Sequence, residues 1–264
     1  MIRVANLVKK YGDFTAVNDI SFDVAEGEIF AFLGPNGAGK TTTIKILTTL
    51  LKPTSGQVEL DGLNPAVEHN EARKRFGIVF QDPSLDEELT AYENMDFHGV
   101  LYKVPAKIRA KRIEQLLTLF ELWERRNDQV KQFSGGMKRR LEIARGLLHT
   151  PKIVFLDEPT LGLDPQTRNQ LWTHVKKLNG EERVTVFMTT HYMEEAERVA
   201  HRIAIIDHGK IVAQGSAEQL KAQTGAETLE QAFLALTGST IRQEDASALD
   251  QMRNMARMFR GRRR

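Results

Sequence analysis

The sequence predicts an α/β fold with a mainly parallel sheet, an antiparallel β subdomain ahead of it and an α-helical subdomain inserted into it. Three observations support this. The runs IVFL at 153–156 and VTVFM at 184–188 are apolar without alternation and are separated by a helical stretch, as parallel strands covered on both faces require. A glycine-rich segment joins the strand-like EIFAFL to a helical pattern that starts at Lys40. β-Rich segments dominate residues 2–33, whereas residues 90–123 have helical periodicity.

In chain order, IRVANLV, ISFDV and EIFAFL read as strands broken by turn signals at Tyr11-Gly12-Asp13 and Glu26-Gly27. From Lys40 to Leu51 the spacing of Ile44, Leu47, Leu50 and Leu51 predicts one helix that Pro53 stops. GQVELDG and GIVFQD read as strands, and Ile113, Leu116, Leu117 and Phe120 form one helical stripe in the following stretch. Beyond Ser134, helical spacing returns in Met137, Leu141, Ala144, Leu147 and Leu148, ending before Pro151. The expected partition is a main domain over 1–220, its helical subdomain at about 88–150, and a C-terminal extension over 221–264 with a short helix in TLEQAFLALTG and a basic tail.

Composition sets limits on function. The 264 residues, 41% of them hydrophobic, suffice for a sizeable core. A net charge of +2 gives no general argument for nucleic acid, which is not expected as a partner. The absence of cysteine excludes disulfides, thiolate metal sites and a cysteine nucleophile. No segment approaches the roughly 20 apolar residues of a membrane helix, and the N-terminus has no signal-peptide stretch, so any transport role requires another polypeptide.

The strongest motif is Gly34, Pro35, Asn36, Gly37, Ala38, Gly39, Lys40 and Thr41, a phosphate-binding loop with every fixed position filled between a strand and a helix. Glycines there let backbone N–H groups curl round a phosphate, Lys40 reaches the β- and γ-phosphates, and the Thr41 hydroxyl can ligate Mg²⁺. Thr42 completes the expected ATP-binding stretch. The loop identifies a P-loop NTPase core.

Asp157 and Glu158 end the apolar strand IVFL, where an open parallel sheet binds ligands. Asp157 is expected to hold Mg²⁺ and Glu158 to polarise an attacking water as general base. Gln81 and His191 also follow strands, giving four strand ends facing one crevice. Gln81 could ligate Mg²⁺ or the water, and His191 could hydrogen-bond the γ-phosphate, although either residue at a strand end is compatible with a structural role. Ser134, Gly135 and Gly136 precede a helix carrying Lys138, Arg139 and Arg140, which suits either a second anion site or simple helix capping.

The phosphate loop, Gln81, FSGGM, IVFLDEP, LGLD and His191, in this order and spacing, resemble the nucleotide-binding subunit of an ATP-binding cassette transporter over residues 2–220. The resemblance implies that Tyr11 stacks on adenine, that Ser134, Gly135 and Gly136 belong to the signature motif, that Asp164 lies in the loop linking two sites, and that His191 is the switch histidine. It further implies ATP sandwiched between two subunits, so one copy of each motif calls for a second ATP-binding subunit, expected as a homodimer. Phe133 and Met137 depart from the common LSGGQ signature. Together with KRRLEIARGLL, LGLDPQTR and TLEQAFLALTG they resemble the drug-resistance-type, daunorubicin-resistance-like exporter branch, whose ATPase is separate from its transmembrane permease subunits.

The expectation is therefore an ATPase, peripheral on the cytoplasmic face of a membrane, that powers export. The segment Asp82–Tyr102, through Tyr92, Met95, Phe97 and Tyr102, is expected to dock on the permease. Two alternatives are a soluble cassette ATPase acting on nucleic acid or the ribosome, and a small-acceptor kinase or GTPase that would leave FSGGM and LGLD unexplained. The six arginines of residues 251–264, with Met252, Met255, Met258 and Phe259, suit a membrane surface, a partner or a solvated tail.

Overall fold

A computed structural model describes residues 1–238. The chain opens with β1 (Ile2–Tyr11), β2 (Phe14–Val24) and β3 (Ile29–Leu33), followed by α1 (Lys40–Leu47) and β4 (Ser55–Leu60). β1 pairs antiparallel with β2 on one side and β4 on the other, so the small sheet runs β2-β1-β4. After α2 (His69–Arg75) comes β5 (Phe76–Val79), then the helices α3 (Ala91–Leu101), α4 (Ala106–Leu119) and α5 (Gly135–Gly146). β6 (Ile153–Asp157), α6 (Pro165–Glu182), β7 (Thr185–Thr190), α7 (Met193–Val199), β8 (Arg202–Asp207), β9 (Lys210–Gly215), α8 (Ala217–Thr224) and α9 (Leu229–Thr237) follow.

The large sheet runs β5-β6-β7-β3-β8-β9, parallel except for the antiparallel edge strand β9. Its central strands β3, β6 and β7 are buried along their whole length because each face meets a different core. Ile29, Ala31 and Leu33 of β3 join the helices, whereas Phe30 and Phe32 join residues of the antiparallel sheet. In that second core Phe22, Phe30, Phe32 and Phe187 pack with centroids 5.5–5.8 Å apart, an aromatic contact that adds to plain area burial. The carboxyl ends of β5, β6, β7 and β3 consequently lie side by side along one edge.

α5 presses directly on β5. A Cβ on Gly77 would come 2.1 Å from the Gly146 carbonyl oxygen, so only glycine permits this approach. The Ile113, Leu116, Leu117 and Phe120 stripe of α4 is fully buried.

Two expectations need correcting. α1 ends at Leu47 instead of Leu51, because Thr49 takes a left-handed φ of 65° and the Leu50 and Leu51 amides turn back onto the Lys45 carbonyl. The helical region beyond residue 90 is broken between α3 and α4, where Lys103 is left-handed and Val104 is constrained by Pro105. Residue 220, where the main domain is expected to end, lies inside α8, and Leu220, Leu229 and Phe233 all join the helix-side core. The basic tail at 251–264 lies outside the described residues.

Candidate functional site

The phosphate loop leaves the end of β3 and is held by backbone contacts that only glycine fits. Gly37 and Gly39 have φ of 79° and 106°, and a Cβ on Gly39 would come 2.5 Å from the Ala16 carbonyl oxygen of β2. A Cβ on Gly34 would come 2.3 Å from the Ile206 carbonyl oxygen of β8. Gly39 is the N-cap of α1 and supplies no side chain, which leaves the first amides of the helix for an anion. Pro35 is half-buried, Asn36 and Gly37 are exposed, Ala38 is buried, and Thr41 and Thr42 are half-buried in the first turn.

Lys40 is buried, and its ammonium donates to the carbonyls of Gly34 at 2.8 Å and Pro35 at 3.1 Å. It lies 3.2 Å from Glu158 Oε1. Burial lowers the Lys40 pKa, while the Glu158 charge beside it opposes that shift.

β6 delivers Asp157 and Glu158 to the same edge. Thr189 of the neighbouring β7 holds both: its hydroxyl donates to Asp157 Oδ1 at 2.6 Å and accepts from the Glu158 amide at 3.0 Å. Burial raises the Asp157 pKa against the hydrogen bonds from Thr189 and Thr41. Burial also opposes ionisation of Glu158, but hydrogen bonds and charge from His191 and Lys40 outweigh it and hold the pKa below the usual carboxylate range. Glu158 itself has a φ of 48°, uncommon for a non-glycine residue and a form of strain that gathers at functional sites.

His191 follows β7, its ring against Tyr192 at 4.1 Å and its Nδ1 3.4 Å from Glu158 Oε2, within ion-pair distance. Lys40, Glu158 and His191 thus form a continuous polar row across α1, β6 and β7. Thr41 donates to Asp157 Oδ1 at 3.3 Å, so a hydroxyl and a carboxylate converge there, a hard-oxygen pair of the kind Mg²⁺ takes. Gln81 sits two residues past β5, exposed, with its carbonyl accepting from Arg139.

Other expected residues lie apart from this row. Tyr11 is 47% exposed at the end of β1, under Lys9 and opposite Phe14 of β2, the neighbouring strand whose Ala16 carbonyl approaches Gly39. Ser134 caps α5 by accepting from the Met137 amide, and Ser134 and Gly135 are exposed. Among the described residues no hydrogen bond joins Ser134, Gly135 or Gly136 to the phosphate loop of this chain. Phe133 and Met137, the departures from the common signature, face the core. The basic cluster after the signature is already engaged: Lys138 with Glu87, Arg139 with Glu142 and Arg140 with Glu121. Asp164 caps α6, its carboxylate accepting from the Thr167 amide at 3.0 Å and hydroxyl at 2.6 Å.

Sequence reasoning missed Thr189 and Glu195, and it read Arg139 only as one of three basic residues opening a helix, not as a buried guanidinium bound to the ends of β5 and β6. Glu195 is buried and accepts from Thr160 at 2.6 Å and Thr190 at 3.2 Å, binding the loop after β6 to the end of β7. The available signal was polar residues at the ends of apolar runs, the paired threonines of VTVFMTT above all.

Fold and site together define a P-loop nucleoside-triphosphate hydrolase with carboxylates, a glutamine and a histidine on adjoining strand ends. A family profile described as "ABC transporter" matches residues 17–161. The chain is 40% identical over 252 residues to the daunorubicin resistance ATP-binding protein DrrA3 of Streptomyces coeruleorubidus, covering 91% of this chain and 79% of that one. It is 42% identical over 229 residues to the linearmycin resistance ATP-binding protein LnrL of Bacillus subtilis, covering 87% and 73%. It also superposes, with a TM-score of 0.73 and 32% identity over 82% of this chain and 98% of the other, on a dimeric ATP-binding cassette in a post-hydrolysis state with ADP and Pi. The chain belongs to the ABC transporter family and is an ATP-binding ATPase. Among the described residues no helix is long and apolar enough to cross a membrane.

Proposed function

We propose that this chain is the motor subunit of a drug-type exporter, working as a dimer on the cytoplasmic face of a membrane against separate permease subunits. The observation that carries this reading is the Lys40-Glu158-His191 row beside the α1 N-terminus, with the exposed Ser134 and Gly135 left unjoined to it. Such an arrangement suits two copies that complete each other's sites, and the dimeric ADP-bound relative supports it. Likeness to drug-resistance ATP-binding proteins supports the exporter assignment.

In this reading residues 34–42 cradle the triphosphate and Tyr11 stacks on the base. Lys40 neutralises charge on the β- and γ-phosphates. Glu158 accepts a proton from the attacking water, whose oxygen bonds to the γ-phosphorus as the bridging oxygen leaves with ADP. His191 and Gln81 hold the γ-phosphate and the water, and Asp164 lies at the loop between sites. Thr41 and Asp157, with Gln81, would hold Mg²⁺, which supplies charge neutralisation between the phosphates. Residues 1–220 are taken as the ATPase domain with its helical arm at 88–150, and 221–264 as its extension.

The docking role of residues 82–102 narrows to fewer side chains. Met95 is buried, Tyr92 packs on the core and Tyr102 stacks on His149 at 3.9 Å, which leaves Phe97 as the aromatic turned outward, 61% exposed.

Glu158→Gln tests the reading: ATP binding should persist while phosphate release falls about 100-fold or more, the scale of a lost general base. ATP-dependent dimers should then accumulate on size exclusion. Turnover within a few-fold of the parent would remove Glu158 from the role.

A further inference from the structure

Arg139 lies in the second turn of α5, the helix capped by Ser134, yet its guanidinium is buried and points at the ends of two strands. Its Nε donates to the Pro159 carbonyl at 2.8 Å. Nη1 donates to the Phe80 carbonyl at 2.5 Å and to Glu142 Oε2 at 3.0 Å. Nη2 donates to the Glu158 carbonyl at 3.2 Å and the Gln81 carbonyl at 3.4 Å. A guanidinium has five N–H donors, so every one has an acceptor, and four of those acceptors are backbone oxygens just past β5 and β6. Glu142 supplies the neutralising charge and also accepts from the Ser84 amide at 2.7 Å, which anchors the next part of the segment after Gln81.

The geometry assigns Arg139 a positioning role: we propose that it ties the Gln81 and Glu158 strand ends to each other and to α5, so that both residues keep their places in this chain's site. Glu158 is then held on both sides, its amide by Thr189 and its carbonyl by Arg139, and this is what keeps a residue at φ 48° in place. A buried arginine needed only for packing would be satisfied by any acceptors; here they are the main-chain atoms flanking the proposed water-polarising carboxylate and the proposed γ-phosphate glutamine. Lysine keeps the charge opposite Glu142 but has three donors on one nitrogen and cannot span both loops. The inference rests on the proposed ATPase site.

The test compares the full chain with Arg139→Lys, Glu142→Gln and Glu158→Gln by ATPase kinetics, by binding of a fluorescent ATP analogue and by amide hydrogen exchange. For Arg139→Lys, kcat should fall about 10-fold or more while KM and analogue affinity stay within about threefold, the pattern of an interaction needed in the transition state. Amides in 80–85 and 157–161 should exchange about 10-fold faster, with those in 2–24 unchanged. Glu142→Gln, which loosens Arg139 and Ser84 without removing the guanidinium, should accelerate exchange in 80–85 about threefold and covers the case in which Arg139→Lys does not fold. A kcat for Arg139→Lys within twofold of the parent, unchanged exchange at 80–85 in both variants, or equal acceleration across 2–24 overturns the proposal. A parent that hydrolyses no ATP, or that is indifferent to Glu158→Gln, would instead overturn the ATPase assignment, and exchange would still report on Arg139.

Discussion

Acid should unfold this chain earlier than its carboxylates require, because two histidines are buried uncharged. His98 of α3 and His149 after α5 flank Tyr102, with ring centroids 4.8 Å and 3.9 Å from it. Burial, helped by the charges of Arg145 and His149, pushes the His98 pKa down to about 3. Burial pushes that of His149 down to about 4, although its Nε2 lies 3.0 Å from the Phe76 carbonyl oxygen. His98 Nε2 and His149 Nδ1 are buried without a hydrogen-bond partner. In the unfolded chain each histidine titrates near 6.5, so below that pH the unfolded state binds more protons and stability falls as pH falls. At pH 5 both rings are still neutral when folded and almost fully protonated when unfolded. Each therefore removes about 2 kcal/mol between pH 8 and pH 5, about 4 kcal/mol together. Urea unfolding followed by the fluorescence of Trp123 and Trp172, at pH 8 and pH 5, measures this directly. The parent should lose the full amount from these two rings, and a His98→Gln, His149→Phe double variant should lose about 4 kcal/mol less over the same interval, whatever its absolute stability. A double variant that loses as much as the parent would refute the argument.

Gly77→Ala should force α5 off β5, since its Cβ would sit 2.1 Å from the Gly146 carbonyl oxygen. A cost of about 1–3 kcal/mol, seen as a melting-temperature drop of roughly 3–10 °C, is expected, and a drop under about 1 °C would deny the close contact. Phe97→Asp should leave fold and ATP binding intact but cut partner-stimulated ATPase about 10-fold or more, as loss of an aromatic anchor does; unchanged coupling in reconstituted membranes would move the docking surface elsewhere. Phe97 is a cleaner probe than Glu87 or Glu93, because Glu87 pairs with Lys138 and Glu93 completes the capping box of α3.

Much of the molecule was legible in the sequence because its signals are local. A glycine loop between strand and helix needs only adjacent residues, and Asp157, Glu158, Gln81 and His191 follow apolar runs that announce strands. Ser134 is a recognisable cap for the same reason, accepting from an amide three residues on, whereas the capping role of Asp164 came only from the structure. The end of α1 was misplaced because Leu50 and Leu51 keep the helical spacing while Thr49 turns left-handed, and periodicity carries no information on a single φ.

The sequence by itself determined the nucleotide loop, the class of fold and the strand-end residues, since these depend on short-range pattern and backbone chemistry. Only the tertiary structure decided which strand ends are neighbours, through the order β5-β6-β7-β3, and which buried groups join them. Thr189 reaches Asp157 across 32 residues, and Arg139 reaches Phe80 across 59. Such contacts arise when two cores close on opposite faces of one sheet and leave buried donors and acceptors that must be satisfied, a condition set by packing in three dimensions that no local pattern encodes.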